Sequence, residues 1–560
     1  MIKIPVRFAV AFICLCTWVY GYPITSFHAA SGDAPVANPP AGKLRGVREG
    51  DAIAFRAVPY ALPPTGDRRW RPPAPMPRWN GVLEAQQAGV ACVQPAMAAG
   101  PYNRGQLRMD EDCLTLDVTA PVSAHKAPVM VWIHGGTLIW GTAQSRMYDG
   151  RGFAKRGIIL VSINYRLGVL GYLAHPELSK ESTDNISGNY GLLDQIAALR
   201  WVRANIAAFG GDPHNVTIFG ESAGALSVEY LLASPAARGL FEKAITQSGY
   251  LFTMPELRQS RYEEKSAEEI GEVLVTKLGA PGISSMRSMD ARQLVDAAAV
   301  AGYAPFGTID GKLLKRQLID TFDRGEQARV PLMAGFNSGE VRSLRSLLPP
   351  LPATAEGYAS DVRARYRDLA NAYLRLYPPQ NLDETQLAAA RDAVFGWAAE
   401  RLVRKQAAIG RPSYLYYFSH GYSSATAANL DAFHASEVPF VFGTLRETPA
   451  SWPVIPDTAV ERELANAMLD YWTGFARGGR PSSANGPAWE PFASKGAYMH
   501  FDDLPRLSRD LLPGVYELHE QIMCRRRLSG AQSWNWRTGS LAPVIPDPAP
   551  QCAQPVRRFD

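Results

Sequence analysis

The 560-residue chain has no block of lysine or arginine, no fixed repeat, no disorder-like segment and, beyond its N-terminus, no apolar run long enough to span a bilayer. Its 58 Lys and Arg and 53 Asp and Glu are dispersed, so the net charge of +5 never gathers into the basic face that nucleic-acid binding requires. No nucleic-acid partner and no stable membrane span after removal of a leader are expected. Cysteine is scarce, six residues in all. What is present is apolar material: 46 % of the chain is hydrophobic, enough for a large core. Length alone allows one or two domains. No linker divides the chain, so residues 31–560 read as one domain with long insertions and an irregular tail from about residue 525.

The N-terminus has the layout of an export signal. Lys3 and Arg7 supply the positive start and Phe8 to Tyr20 the short apolar stretch, with cleavage after Gly21 or near Ala29 and Ala30, so the signal spans about residues 1–30. An uncleaved anchor is disfavoured because the run falls short of the ~20 residues that span a bilayer. Neither Cys14 nor Cys16 follows a small residue, which argues against a lipoprotein. The destination is then secreted or periplasmic. Cys92, Cys113, Cys524 and Cys552 remain, and their neighbourhood in sequence favours Cys92 with Cys113 and Cys524 with Cys552. Of two sequons, at Asn185 and Asn215, the second begins a buried strand, and both read as accidental.

Along the chain, Gly42 to Ala57 predicts a hairpin, followed by a proline-studded stretch lying over a surface. Apolar, β-branched runs predict strands at Pro128–Ile133, Ile158–Asn164, Asn215–Phe219, Ala244–Gln247, Pro331–Gly335 and Tyr414–Phe418. Helical spacing predicts helices at Leu192–Phe209, Tyr262–Leu278, Gln386–Ala408 and Glu461–Ala476. Strands alternating with helices imply a mostly parallel sheet covered on both faces.

Chemistry concentrates at Gly220-Glu221-Ser222-Ala223-Gly224, between a predicted strand and an Ala- and Leu-rich helical run. So sharp a strand-to-helix turn strains its middle residue and leaves no room for side chains at the flanking positions. Glycine at 220 and 224 removes both clashes, exposes the Ser222 hydroxyl and aims the first free helix amides, beginning with Ala223, at the same space. A serine hydroxyl needs a base, and neutral imidazole serves near pH 7. Of nine histidines, His434 lies in a loop after a predicted strand, whereas His28 falls near the leader and His134 beside a double glycine. His125, His175, His214, His420, His500 and His519 have loop-like or surface-like surroundings. The order nucleophile, acid, histidine places the acid between Ser222 and His434 just past a strand. Glu340 and Asp310 both meet that condition, and spacing leaves the choice open.

With these residues stand longer motifs: FRAVPYALPP, EDCLTLDV, INYRLGVLGYL, GNYGLLDQIAALRWVRANIAAFGGDP, FGESAGALSV, ITQSG, GFNSGE and FHASEVPFVFG. From about Gly42 to Met523 the chain resembles the type-B carboxylesterases, the cholinesterase-like family of α/β-hydrolases. The resemblance implies an α/β-hydrolase fold with Ser222 as nucleophile, Glu340 as acid and His434 as base. It also implies a first disulfide between Cys92 and Cys113, and a buried ion pair of Arg166 with Asp194 beneath the site. Gly136, Thr137 and Ala223 would supply the oxyanion amides.

Two departures qualify the resemblance. The family's usual third glycine or alanine after the double glycine is here Thr137, whose branched side chain is expected to narrow the acyl site. The loop between Cys92 and Cys113 is short and lacks tryptophan, so choline-ester specificity is not implied. The expected reaction is hydrolysis of a small-molecule ester through an acyl-enzyme, with no metal or organic cofactor required. Lipase action on longer acyl chains and a non-catalytic adhesion or binding role are the alternatives, the second disfavoured because the triad is complete. The oligomeric state is not legible.

Overall fold

The computed structural model describes residues 34–97, 100–534 and 537–553. The expected signal over about residues 1–30 lies outside them. From Pro35 onward the described residues form one compact unit.

An eleven-stranded sheet organises this unit. Its strands are β1 (Val47–Glu49), β2 (Ala52–Pro59), β3 (Thr115–Pro121), β4 (Ala127–Ile133), β5 (Ile159–Ile163), β6 (Gly211–Glu221), β7 (Lys243–Gln247), β8 (Leu332–Asn337), β9 (Ser413–Phe418), β10 (Ala497–Phe501) and β11 (Pro505–Arg509). They lie in the order β11-β10-β9-β8-β7-β6-β4-β5-β3-β2-β1. All pairs from β5 to β10 are parallel, and the strands at either edge pair antiparallel. Alternation sorts the side chains onto two faces. Val129, Val131 and Ile133 of β4 join one apolar layer with Val161 and Ile218, whereas Met130 and Trp132 join the opposite layer with Leu160, Phe219, Met333 and Tyr416. Both faces are covered, so the central strands read as continuous apolar runs.

Helices α1 (Tyr190–Asn205), α2 (Ala223–Ala233), α3 (Ala267–Lys277), α4 (Leu382–Arg391), α5 (Trp397–Ala408), α6 (Ala459–Gly478) and α7 (Val515–Ser529) matter most to the argument. Three differ from expectation. The helix predicted from Tyr262 begins at Ala267, because Ser266 caps it by accepting a hydrogen bond from the Glu269 amide at 3.2 Å. The helix predicted over Gln386–Ala408 is α4 and α5 joined by a π-turn at Asp392–Gly396, whose extra residue leaves no mark in apolar spacing. Finally, α7 runs to Ser529, so the irregular tail starts some four residues later than about 525. The disulfides Cys92–Cys113 and Cys524–Cys552 are both present, the second tying α7 to the tail. Among the described residues no helix is long and apolar enough to cross a membrane.

Candidate active site

The strand β6 ends and α2 begins around one residue, Ser222, held at φ 58° and ψ −123°, a conformation that costs energy and persists only where the surroundings impose it. The surroundings are close. A β-carbon on Gly224 would stand 2.0 Å from the carbonyl oxygen of Ile133 at the end of β4. One on Gly135, in the loop that follows, would stand 2.6 Å from the Glu221 carbonyl and 3.2 Å from the Ser222 β-carbon. The double-glycine loop therefore lies directly against the serine turn. The amides of Gly136, Thr137 and Ala223 make no hydrogen bond to the backbone among the described residues, which leaves them as donors for a ligand.

Thr137 itself is unusual. It sits at φ 55° and Leu138 follows at 60°, a left-handed pair that disfavours a branched side chain. Its side chain is exposed, and its hydroxyl donates to the Gly136 carbonyl at 2.8 Å, so part of what the branched residue loses in strain it regains by closing the loop on itself.

At the C-terminal end of β8 the chain turns so that Glu340, fully buried, accepts the Asn337 amide on Oε1 at 2.8 Å and faces His434 Nδ1 with Oε2 at 2.5 Å. Asp310, the other acid at a strand end, is engaged elsewhere: it caps a turn by accepting the amides of Lys312 and Leu313 at 2.8 Å each, and a hydrogen bond from Asn189. The loop after β9 carries His434, 6 % exposed, with its carbonyl receiving the Tyr102 hydroxyl at 2.8 Å and its ring 5.2 Å from that of Phe395 in the π-turn.

The second ring nitrogen does not bond the Ser222 hydroxyl in this conformation. His434 Nε2 lies 3.1 Å from Oε1 of Glu221, the residue preceding the serine. Burial disfavours the imidazolium, but Glu221 and Glu340 on its two sides outweigh that and push the His434 pKa up to about 9. Burial raises the Glu221 carboxyl to about 8 even though His434 pulls it down. A third acid, Glu437, is buried three residues after His434 and raised by burial and by Glu340. It accepts hydrogen bonds from Gln247 at 2.9 Å and from Asn337 at 2.6 Å, and Trp472 donates to Gln247 at 3.0 Å.

Sequence reasoning had no pointer to Tyr102, Phe395 or Glu437, and passed over Glu221 although it sits inside the GESAG motif. Its view of several other histidines is corrected. His420 and His175 are buried, and His519 is buried on α7 rather than placed in a loop, bonded to Tyr377 at 2.8 Å and pushed down to about 4 by burial. Beneath the site Arg166 and Asp194 form the expected pair, bonded twice at 2.7 and 2.8 Å and almost fully buried. No cluster of metal-ligating side chains occurs among the described residues.

The profile of the carboxylesterase family matches residues 33–514. The chain belongs to the carboxylesterase family. Among curated relatives, the fumonisin B1 esterase of Sphingopyxis macrogoltabida is 36 % identical, covering 84 % of this chain and 88 % of its own. The para-nitrobenzyl esterase of Bacillus subtilis (strain 168) is 34 % identical over 80 % of this chain and 91 % of its own. A solved PNB esterase structure superimposes with a TM-score of 0.75 at 30 % identity, covering 86 % of this chain and 99 % of that one. This carboxylesterase thus has the α/β-hydrolase fold of its solved neighbours and acts as a carboxylic ester hydrolase on small-molecule esters.

Proposed function

We propose that ester hydrolysis proceeds through an acyl-enzyme on Ser222, with His434 as base and Glu340 as the acid that orients it. The observation carrying this reading is the short bond from Glu340 to His434 Nδ1, beside a strained serine whose flanking amides are free. In the resting geometry Nε2 faces Glu221; on acylation it exchanges that partner for the Ser222 hydroxyl and takes its proton as the oxygen attacks the ester carbonyl. The amides of Gly136, Thr137 and Ala223 receive the developing oxyanion, each worth about 3 kcal/mol of barrier by analogy with single-donor losses elsewhere. The imidazolium then protonates the leaving alcohol, and water repeats the cycle to release the acid. Glu221 and Glu340 stabilise that cation from both sides, while Tyr102 and Phe395 hold the ring.

The enzyme is read as exported, on its N-terminal layout and two disulfides. Labelling with a fluorophosphonate followed by peptide mapping tests the nucleophile: Ser222 should carry the adduct, and Ser222→Ala should fold as the wild type while losing both labelling and turnover of 4-nitrophenyl esters. An adduct on another serine, or more than about 1 % of turnover retained, overturns the assignment.

A further inference from the structure

The loop closed by Cys92 and Cys113 does two things two residues apart. Tyr102 bonds the His434 carbonyl, and Arg104 turns the other way to donate from Nη2 to the Tyr148 hydroxyl at 2.8 Å, its guanidinium carbon 5.5 Å from the Tyr148 ring centroid. That tyrosine is uncharged, and among the described residues no carboxylate forms an ion pair with Arg104. Its Nε is buried without any hydrogen-bond partner. A half-buried guanidinium without an ion-pair partner is an unbalanced arrangement, since burying charge is costly unless it is paired.

Arg104 also lines a cavity of about 310 Å³. Arg108 and Arg146 stand around the same cavity, as do Thr142 and Gln144, and Glu447 is the one carboxylate among its lining residues. Glu447 is already paired with the exposed Arg146 at 2.6 Å, and Arg108 has only the carbonyls of Ala88 and Gly89. Three guanidinium groups against one carboxylate leave an excess of positive charge in a space of small-molecule size. Arg104, which lines the cavity, is two residues from Tyr102, which bonds the His434 carbonyl. The charge of Arg104 reaches Glu221, whose carboxyl it helps hold down against burial.

We propose that this cavity is a binding site for an organic carboxylate, held by the guanidinium groups of Arg104 and Arg108. The carboxylate is either an acidic arm of the ester substrate or a free acid that acts on the enzyme from beside its active centre. The first case rests on the esterase reading above; the binding itself does not.

Succinate serves as the probe. Titration calorimetry on Ser222→Ala measures binding independently of turnover, so failure of the triad assignment would leave this result intact. Succinate should bind, and Arg104→Gln should weaken it by about 10- to 100-fold, the scale of a lost charge-assisted hydrogen bond. Arg108→Gln should weaken it less, and Arg45→Gln, a residue that does not line the cavity, should leave it unchanged. If Arg104→Gln melts out of the native range, Arg108→Gln carries the test alone. Two kinetic arms then separate the sources. Competitive inhibition of 4-nitrophenyl butyrate hydrolysis by succinate, with a preference for 4-nitrophenyl hemisuccinate that Arg104→Gln abolishes, identifies a substrate arm. Non-competitive inhibition or activation, lost in the same variant, identifies a free-acid site. No detectable binding of succinate, or binding that Arg104→Gln and Arg108→Gln leave undiminished, overturns the proposal.

Discussion

Glu340 and Glu229 are both completely buried, and both belong to segments that converge on Ser222, yet the protein treats them in opposite ways. Glu340 is surrounded by donors: the Asn337 amide on one oxygen and the His434 ring on the other. Glu229 sits seven residues after the serine on α2, and neither of its oxygens has a hydrogen-bond partner. Burial raises its pKa well above the ordinary carboxyl value with no other cause to offset it. The contrast teaches that burial by itself drives a carboxyl toward its neutral form, whereas donors aimed at its oxygens favour the charged one. Sequence shows only two glutamates near a strand or helix; which one finds hydrogen-bond donors is a matter of neighbours.

The strongest way to break the comparison is to neutralise the partnered acid. Glu340→Gln should cut kcat by about 10³- to 10⁴-fold, because the amide cannot stabilise the imidazolium and favours the wrong tautomer of His434. Steady-state rates on a 4-nitrophenyl ester decide it, and activity within threefold of wild type would remove Glu340 from the mechanism.

The unpartnered acid should behave in the opposite sense. Because its folded pKa is raised, Glu229 is protonated in the native state while the unfolded chain ionises, so it withdraws stability as pH rises above the unfolded value of about 4.3 toward the folded one. Glu229→Gln should therefore raise stability at pH 8 by about 1–3 kcal/mol, with the gain shrinking toward pH 4. Denaturant midpoints at the two pH values check this; an equal gain at both would mean that the charge is not the cause.

Glu221 lies between these extremes, a buried acid with one ionisable partner. The His434 base form accumulates only above its raised pKa of about 9, so the acidic limb of kcat/KM should stand above the usual histidine value of about 6.5. Glu221→Gln removes one of the three carboxylates, with Glu340 and Glu437, that raise it, and the limb should move down by about one unit. A limb that stays in place would assign the shift to Glu340 and Glu437.

The smallest effect concerns strain rather than charge. Thr137→Gly relieves a branched residue of a left-handed backbone and should leave stability within about 1 kcal/mol, strain relief opposing the added freedom of the unfolded chain. Its amide remains, so the informative quantity is the ratio of kcat/KM for a bulky and an acetyl ester with a common leaving group. A steric role predicts that the ratio rises. The exposed side chain, turned back on the Gly136 carbonyl, makes an unchanged ratio the sign that Thr137 shapes the loop and not the acyl pocket.

The sequence by itself determined the framework. Apolar, β-branched runs set apart by glycine and proline place β4 to β9 within a few residues, because strand-forming chemistry is local and repeated. The GESAG turn and a candidate histidine after β9 are likewise legible, and the chain order narrows the acid to strand ends between them, where Glu340 and Asp310 both qualify. Only the tertiary structure decided the rest. It set Glu340, and not Asp310, against His434 Nδ1 by turning the chain after β8 toward the His434 loop, and it set Glu221 against His434 Nε2. It brought Tyr102 from a disulfide loop and Phe395 from a π-turn onto the same ring, across more than 300 residues in the first case. It left Arg104 facing a cavity without a counter-ion. These are contacts between segments distant in sequence, where the charge and hydrogen bonding of a group depend on what folding brings within about 3 Å of it, and no local pattern encodes that.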